Sequence, residues 1–506
     1  MPPVSSPGSD TTSQTRPRHP RVTAAPRAHD RFGDQAASRV RFRRALTLLL
    51  MTLLVPGSAQ LVAGNKRVGR IALRVVLSLL AVTLLVVLLG LVWHGLIYFL
   101  AVNTFALGVL RLLLCALAVG WALLFVDAWR LGRPLELMQK QRLAMVGLNG
   151  VLCFSVAGGL LFASHVVAVQ RGFIATMFGD GVVSDATHGR YNVLLLGGDS
   201  GEDRWGLRPD SISVASIDQE TGKAIIFGLP RNMTNFPFPE GSVMAEQFPD
   251  GYNCGLECEL NSLATFAQDN KALFKGEANP GVAATAEGVE GITGLKINYY
   301  AMVNLQGFRS LVQAVGGLEL NVRDRIPIGG VGGPVTGYIE PGVQRLNGFE
   351  TLWFARSRES ADDYSRMARQ KCVMNAMLQQ LSPSTVITKF EAIASASEEL
   401  ITTDLPASEL GTFAELAMKT RTQPVSSVSF VPPAINTGDP DIEKIHRMVQ
   451  KAIDRSEGKT DRTASASAPK KQKGFSRAGS STVGGSIGSY SEGYAANKAN
   501  DLSSAC

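Results

Sequence analysis

Three residues in one short stretch are of types that do chemistry together: Asp199, Asp210 and Arg231. Residues 191–196 are an apolar run that leads into Gly-Gly-Asp, the pattern of a strand feeding a turn. Residues 211–217 alternate polar and apolar positions and read as a second strand. Turn chemistry fills residues 218–222. Residues 223–229 read as a third strand, stopped by Pro230. Paired as a meander, the first and third strands run one way and the second runs back. Asp199 then ends the first strand, Asp210 opens the second, Arg231 follows the third, and all three share one sheet edge. Two carboxylates and a guanidinium gathered there can hold a divalent cation and a phosphate. Two aspartates also fall in one loop by chance, and this stretch alone leaves both readings open.

A second stretch, residues 346–381, is LNGFETLWFARSRESADDYSRMARQKCVMNAMLQQL. Arg356 and Arg358 flank a single residue, so an extended segment points both to one side. Asp363, Arg366, Arg369 and Gln370 fall at i, i+3, i+6 and i+7, one stripe of a helix. A solvated helix face with Asp–Arg pairs looks the same, and gains only about 0.3 kcal/mol per pair. Four arginines within fourteen residues favour more than that. The guanidinium fork suits bidentate recognition of phosphate.

The elements that must position these residues lie in one soluble domain, residues 191–435, large enough for a proper core. After the three strands, residues 296–304 read as a strand. Residues 305–315 read as a helix stopped by Gly316-Gly317, and 318–322 as a strand. Residues 346–355, 363–381 and 399–420 read as helices, and 426–431 as a closing strand. The fold class is α/β, a mixed central sheet flanked by helices, preceded by an all-α transmembrane region. Residues 436–456 hold a last helix, around 440–456. Residues 457–506 are a Ser/Gly-rich tail expected to be disordered, with Cys506 isolated in it as a free thiol.

The 506-residue chain carries net charge +7, and its first 44 residues, with nine Arg and three Asp, account for +6. Residues 1–42 read as a disordered basic tail. The membrane region is 43–170. Residues 75–93, 104–126 and 143–169 are apolar runs long enough to span a bilayer, with Trp93 and Tyr98 placed as interfacial anchors. Residues 45–63 are interrupted by Pro56-Gly57. Basic residues cluster in the tail, in 65–70 and in 130–142, and the positive-inside rule places all three in the cytoplasm. That works if 45–63 re-enters and returns, its freed backbone groups covered by protein. Three crossings follow, a tether occupies 171–190, and the domain is extracytoplasmic. Four full spans are the alternative.

Several chemistries are disfavoured. The six cysteines form no CxxC pair and no zinc-spaced cluster. His188 is the only histidine between residues 166 and 445, which leaves little for a His-based hydrolase. The Gly-rich runs GVEGITGLKIN and IGGVGGP match no nucleotide fingerprint. Cys254 and Cys258, four apart, suit a local disulfide outside the cytoplasm. They sit among Phe236, Phe238, Phe248 and Tyr252, which form either the wall of a lipid cleft or a minor core. Cys372 is expected to pack inward unpaired.

Six blocks, NVLLLGGDS, RPDS, LPRN, YYAMVNLQGFRSLVQAVGGLELNV, LNGFETLWFARSR and DDYSRMARQ, occur in this order over residues 190–385. Together they resemble the LytR-CpsA-Psr family. The resemblance implies a membrane-anchored extracytoplasmic phosphotransferase with an α/β fold and a hydrophobic lipid cleft. Such an enzyme moves a glycopolymer from a polyprenyl-pyrophosphate carrier to peptidoglycan through a phosphodiester. It implies Mg²⁺ (or Mn²⁺) held by Asp199 and Asp210. It implies charge neutralisation by Arg231, Arg356, Arg358 and Arg366. Arg208, Arg369 and Gln370 join as substrate-binding residues, and Asp363 orients Arg366 or Arg358. Asn232 departs from the Asp usual after Pro-Arg and keeps only a neutral acceptor. The expected partners are the lipid-linked glycan, peptidoglycan and the bilayer, with no nucleic acid. The spans and the Ala/Arg/Gly/Val-rich composition suit the actinobacterial type, for which arabinogalactan is the associated polymer. Two other readings share the same residues: a polyprenyl-pyrophosphate pyrophosphatase, and a non-catalytic lipid- or wall-binding protein.

Overall fold

A computed structural model describes residues 28–64, 66–92, 94–178, 182–198, 208–330, 333–358, 362–381 and 401–459, with 389, 393, 497 and 502. Asp199, Trp93, Cys506, residues 1–27 and most of 460–506 lie outside the described residues. The chain divides into two compact units, residues 1–81 with 117–159, and 82–116 with 160–506.

The first unit holds α1 (Ala28–Leu54), α2 (Ser58–Ala63) and parts of three longer helices. These are α3 (Lys66–Val92), α5 (Thr104–Leu131) and α6 (Gln139–Met177); α4 is His94–Val102. α3, α5 and α6 are long and apolar enough to cross a membrane. α1 begins at Ala28, so residues 28–42 are helical where disorder was expected. They contain no proline, and Ala and Arg favour helix there. The break at Pro56-Gly57 falls where the sequence places it. Val55 N and Ser58 Oγ donate to Met51 O, both at 2.8 Å, and Trp121 Nε1 donates to Thr52 O at 3.1 Å. Carbonyls left over at the end of α1 are thus taken up by the protein. Leu48, Leu49, Ala59, Phe125 and Met145 form the core beneath them.

The second unit is built on a mixed six-stranded sheet. Its strands are β1 (Arg190–Gly198), β2 (Pro209–Asp218), β3 (Ala224–Leu229), β4 (Tyr299–Asn304), β9 (Ile401–Thr403) and β10 (Ser426–Ser429), in the order β10-β3-β2-β1-β4-β9. β1, β2 and β3 form the antiparallel meander expected, while β4 joins β1 and β10 joins β3 in parallel. One face buries Leu194, Leu196, Val214 and Phe227. Against it pack α8 (Leu263–Asp269), α9 (Pro280–Thr293) and α14 (Ile442–Glu457), through Leu263, Ile292 and Val449. The short α7 is Val243–Gln247.

Against the other face lies a smaller assembly of α10 (Leu305–Val315), α11 (Gly348–Arg356), α12 (Asp363–Gln380) and two hairpin-like pairs. These pairs are β5 (Leu318–Val322) with β8 (Gly342–Leu346), and β6 (Ile326–Gly329) with β7 (Val335–Ile339). Val312, Leu318, Leu320, Phe354 and Val373 form its core. Local chemistry sets its helix starts. Asn347 and Glu350 make a reciprocal capping box on α11, and Asp362 accepts from Ser365 N at 2.7 Å to cap α12. Gly348 is needed where it stands, because a Cβ there would collide with the Arg309 carbonyl of α10.

Other expectations are corrected. Within residues 399–420, β9 precedes α13 (Leu410–Arg421), because Ile-Thr-Thr is β-branched and Pro406 separates it from the helix. Asn497 and Leu502, in the expected disordered tail, are buried. Cys254 and Cys258 are disulfide-bonded as expected, with Cα atoms 5.2 Å apart. Phe236 and Tyr252 are fully buried in the main core, so these aromatics are core and not cleft wall. Cys372 is buried but disulfide-bonded, where an unpaired thiol was expected.

Candidate active site

Asp210 opens β2 and Arg231 follows β3, and the meander brings them together as the strand directions require. Arg231 Nη1 donates to Asp210 Oδ1 at 2.6 Å and Nε donates to Asp363 Oδ2 at 3.2 Å. Asp363 opens α12, and Arg366, one turn on, donates to Asp363 Oδ2 at 2.9 Å and to Asp210 O at 3.0 Å. Arg358 Nη1 stands 3.9 Å from Asp363 Oδ1. Asp363 therefore orients Arg366 and Arg231, and Arg358 more loosely. Two carboxylates hold three guanidiniums, which leaves an excess of positive charge.

Burial grades these cations. Arg366 is 3% exposed, and burial lowers its pKa against the pull of Asp363 and Asp210. Burial alone would lower Arg231 as well, but Asp363 and Asp210 raise it above the ordinary arginine value. Arg369 is fully buried and donates to Ser357 O, between Arg356 and Arg358. Burial pushes its pKa to about 9, so it stays charged at neutral pH. Its expected substrate contact is corrected: it braces the Arg356–Arg358 segment from behind. The helical stripe was right, but the domain packs over the middle of it.

A cavity of about 1050 Å³ opens beside this cluster. Arg208, Asp210, Arg231, Arg356, Arg358, Arg366 and Gln370 all line it. The rest of its wall is largely apolar: Leu195 of β1, Met302 of β4, Phe308 and Leu311 of α10, Trp353 of α11, and Met374 and Met377 of α12. Arg356 stacks over Trp353, its guanidinium carbon 5.1 Å from the ring centroid. Asp199 lies outside the described residues, so the shared edge is seen for Asp210 and Arg231.

Sequence reasoning missed three contributors. Asn261 lines the cavity, and its backbone N–H donates to Arg231 O at 3.0 Å. Trp353 sits in the quoted block LNGFETLWFARSR without a role. Lys371 is buried beside the site, its Nζ without a hydrogen-bond partner among the described residues, and burial lowers its pKa to about 8. No spacing signal marks Asn261, and Lys371 looks like any helical lysine. Asn232 Oδ1 is also buried and, among the described residues, without a hydrogen-bond partner.

Among the described residues, no three His, Cys, Asp or Glu come together as a metal site. Asp210 faces the cavity, and a single carboxylate completed by substrate phosphate oxygens fits the habits of Mg²⁺.

The α/β domain thus sets a cluster of guanidiniums beside a largely apolar cavity. The chain belongs to the LytR_cpsA_psr family, whose model matches residues 173–456. It is 25% identical over 354 residues to the cell wall biosynthesis protein LcpA of Corynebacterium glutamicum, covering 62% of this chain and 66% of that protein. It is 32% identical over 143 residues to the polyisoprenyl-teichoic acid–peptidoglycan teichoic acid transferase TagV of Bacillus subtilis, covering 28% of this chain and 36% of TagV. A crystal structure of B. subtilis TagV aligns with TM-score 0.38 at 21% identity, over 54% of this chain and 100% of that one. With the biofilm regulatory protein A of Streptococcus mutans, of which 50% is covered, the chain spans between about a third and two thirds of these curated relatives.

Proposed function

We propose that this protein is a membrane-anchored phosphotransferase that moves a glycopolymer from a polyprenyl-pyrophosphate carrier to peptidoglycan, with arabinogalactan as the polymer. The observation that carries this reading is the cavity, where several arginines gather beside apolar walls. The pyrophosphate would lie against Arg231, Arg356, Arg358 and Arg366, and the polyprenyl chain along β1, β4 and α10. The acceptor hydroxyl oxygen forms a bond to the sugar-bearing phosphorus. The bridging phosphorus–oxygen bond breaks, polyprenyl phosphate leaves, and the hydroxyl proton passes to a phosphate oxygen or a cavity carboxylate. Phosphoryl transfer asks the protein chiefly to position and to stabilise spreading charge, which arginines fixed by Asp363 and Asp210 do without reorganising. Mg²⁺ or Mn²⁺, held by Asp210 and Asp199, would add charge at the phosphate oxygens.

The same reading places the domain outside the cytoplasm on three crossings. α4 packs against α13, and Gln170 Nε2 of α6 donates to Ala101 O at 2.6 Å. These contacts support the part of this reading that puts the segment between α3 and α5 on the domain's side. The test uses the full chain in lipid nanodiscs with a polyprenyl-pyrophosphate glycan, peptidoglycan fragments and Mg²⁺. Glycan covalently joined to the peptidoglycan supports transfer. Phosphate release without acceptor indicates a pyrophosphatase, and lipid binding without turnover a binding protein.

A further inference from the structure

α11 carries Phe349, Trp353 and Arg356 at i, i+4 and i+7, along one side of the helix. Their side chains meet in sequence. Phe349 and Trp353 pack edge to face with ring centroids 6.3 Å apart, and the Arg356 guanidinium carbon stands 5.1 Å from the Trp353 ring centroid. Arg309 of α10 closes the other end, its guanidinium carbon 5.4 Å from the Phe349 ring centroid. Trp353 and Arg356 line the cavity, whereas Phe349 and Arg309 lie outside its wall and are exposed. A ladder of cation, ring, ring and cation therefore leads from the cavity to the protein surface.

Both cations of the ladder are unanswered. Among the described residues, the side chains of Arg309 and Arg356 have no ion pair and no hydrogen bond. Arg325 is the contrast: it stacks over Tyr338 at 3.7 Å and pairs with Glu340 at 2.9 Å, so its charge is met within the protein. Stacking holds a guanidinium flat on a ring and leaves its N–H fork open to a carboxylate. The negative face of an aromatic ring suits the C–H face of a sugar. Together they fit a glycan that carries carboxylates.

Charge then chooses between the two glycans of the proposed reaction. An arabinogalactan donor is built of neutral sugars and would leave the cations unanswered. Peptidoglycan offers sugars whose peptide arms end in carboxylates. We propose that Arg309, Phe349, Trp353 and Arg356 form the acceptor subsite. Sugars of the peptidoglycan strand lie over the two rings, a stem-peptide carboxylate sits on Arg309, and the reacting hydroxyl enters the cavity past Arg356. That the glycan is an acceptor rests on the function proposed above; that the surface takes an acidic glycan rests on the ladder.

The test uses the full chain in lipid nanodiscs with two probes, soluble peptidoglycan fragments bearing stem peptides and a long-chain polyprenyl monophosphate. Affinity for the fragments should fall about fivefold or more in Phe349→Ala and in Arg309→Gln, at unchanged thermal unfolding. Phe349→Tyr keeps the ring and should bind as the wild type does. Fragments with amidated carboxylates should bind the wild type and Arg309→Gln alike. Affinity for polyprenyl monophosphate should hold in both variants, because Phe349 and Arg309 lie outside the cavity wall. Arg325→Gln, on the paired stack, should alter neither affinity. A wild type that binds no fragment, or fragment affinity untouched by both substitutions, overturns the proposal. So does a fall seen only with a polyprenyl-linked glycan, which would give the ladder to the donor. If the wild type binds fragments through the ladder and joins no glycan to them, the proposed transfer fails and the glycan subsite stands.

Discussion

Asp363 is the residue on which the cationic cluster depends, since it contacts Arg231, Arg366 and Arg358 from one carboxylate. Its replacement by Ala leaves these charges facing one another in a partly buried setting. We expect a loss of about 2 kcal/mol, discounted from the fully buried case because Asp363 keeps 18% exposure. Under the proposed function, transfer should fall about 100-fold as the guanidiniums lose their aim. Denaturant unfolding and initial rates check the two effects separately. Lys371 works in the opposite direction. Burial lowers its pKa from 10.5 to about 8, so the charged form is disfavoured in the folded state. Below pH 8 both folded and unfolded chains carry the proton and the penalty is fully present. Between about pH 8 and 10.5 the unfolded chain binds more protons, so stability rises with pH. The shift corresponds to about 3 kcal/mol. Lys371→Met should therefore stabilise the protein by about 2–3 kcal/mol at pH 7, with the gain shrinking towards pH 10.5. Unfolding curves at pH 7 and pH 10 measure it, and an equal effect at both would remove the charge from the explanation.

At the scale of elements, α11 shows how local chemistry reaches the site. Its start is fixed by the Asn347–Glu350 capping box and its last residue is Arg356. Asn347→Ala should cost about 1 kcal/mol and loosen Arg356 over Trp353, which hydrogen exchange across 348–356 would register. The meander and α12 were legible because each repeats a pattern over enough residues: alternation in β2, and a stripe from Asp363 to Gln370. The six separated blocks made the family legible as well. Strands β5 to β9 run three to five residues, and β7 and β8 bury one residue each. At that length and exposure a strand leaves too little alternation for sequence to show it. β5 was read from an apolar start just after Gly316-Gly317, whereas β6 to β9 had no comparable marker. Arg369 and Arg366 illustrate a different limit. They lie on the same stripe, and only the packing of β6 and α11 over Ser357 decides that one faces the cavity and the other does not.

For the whole molecule, the number of membrane crossings decides which side of the bilayer holds the N-terminal helix. A helix broken in lipid leaves carbonyls that must find donors. At the end of α1 they find them, in Val55 N, Ser58 Oγ and Trp121 Nε1, so α1 and α2 can turn back without exposing their break. Basic residues flank the same helices at Arg39–Arg44, Lys66–Arg70 and Arg130–Arg142, which favours one shared compartment for all three. Single cysteines introduced into a chain lacking Cys115 and Cys153 separate the topologies. Val182, before β1, and Val40, in α1, are both well exposed, and so is Leu135 in the turn between α5 and α6. A membrane-impermeant thiol reagent applied to intact cells should label Val182→Cys. With three crossings, Val40→Cys and Leu135→Cys react only after permeabilisation. With four, Val40→Cys reacts like Val182→Cys, because residues 45–63 then cross the bilayer and place the first helix beside the domain's compartment. Labelling of Leu135→Cys in intact cells would overturn both, since α6 would no longer separate it from the domain.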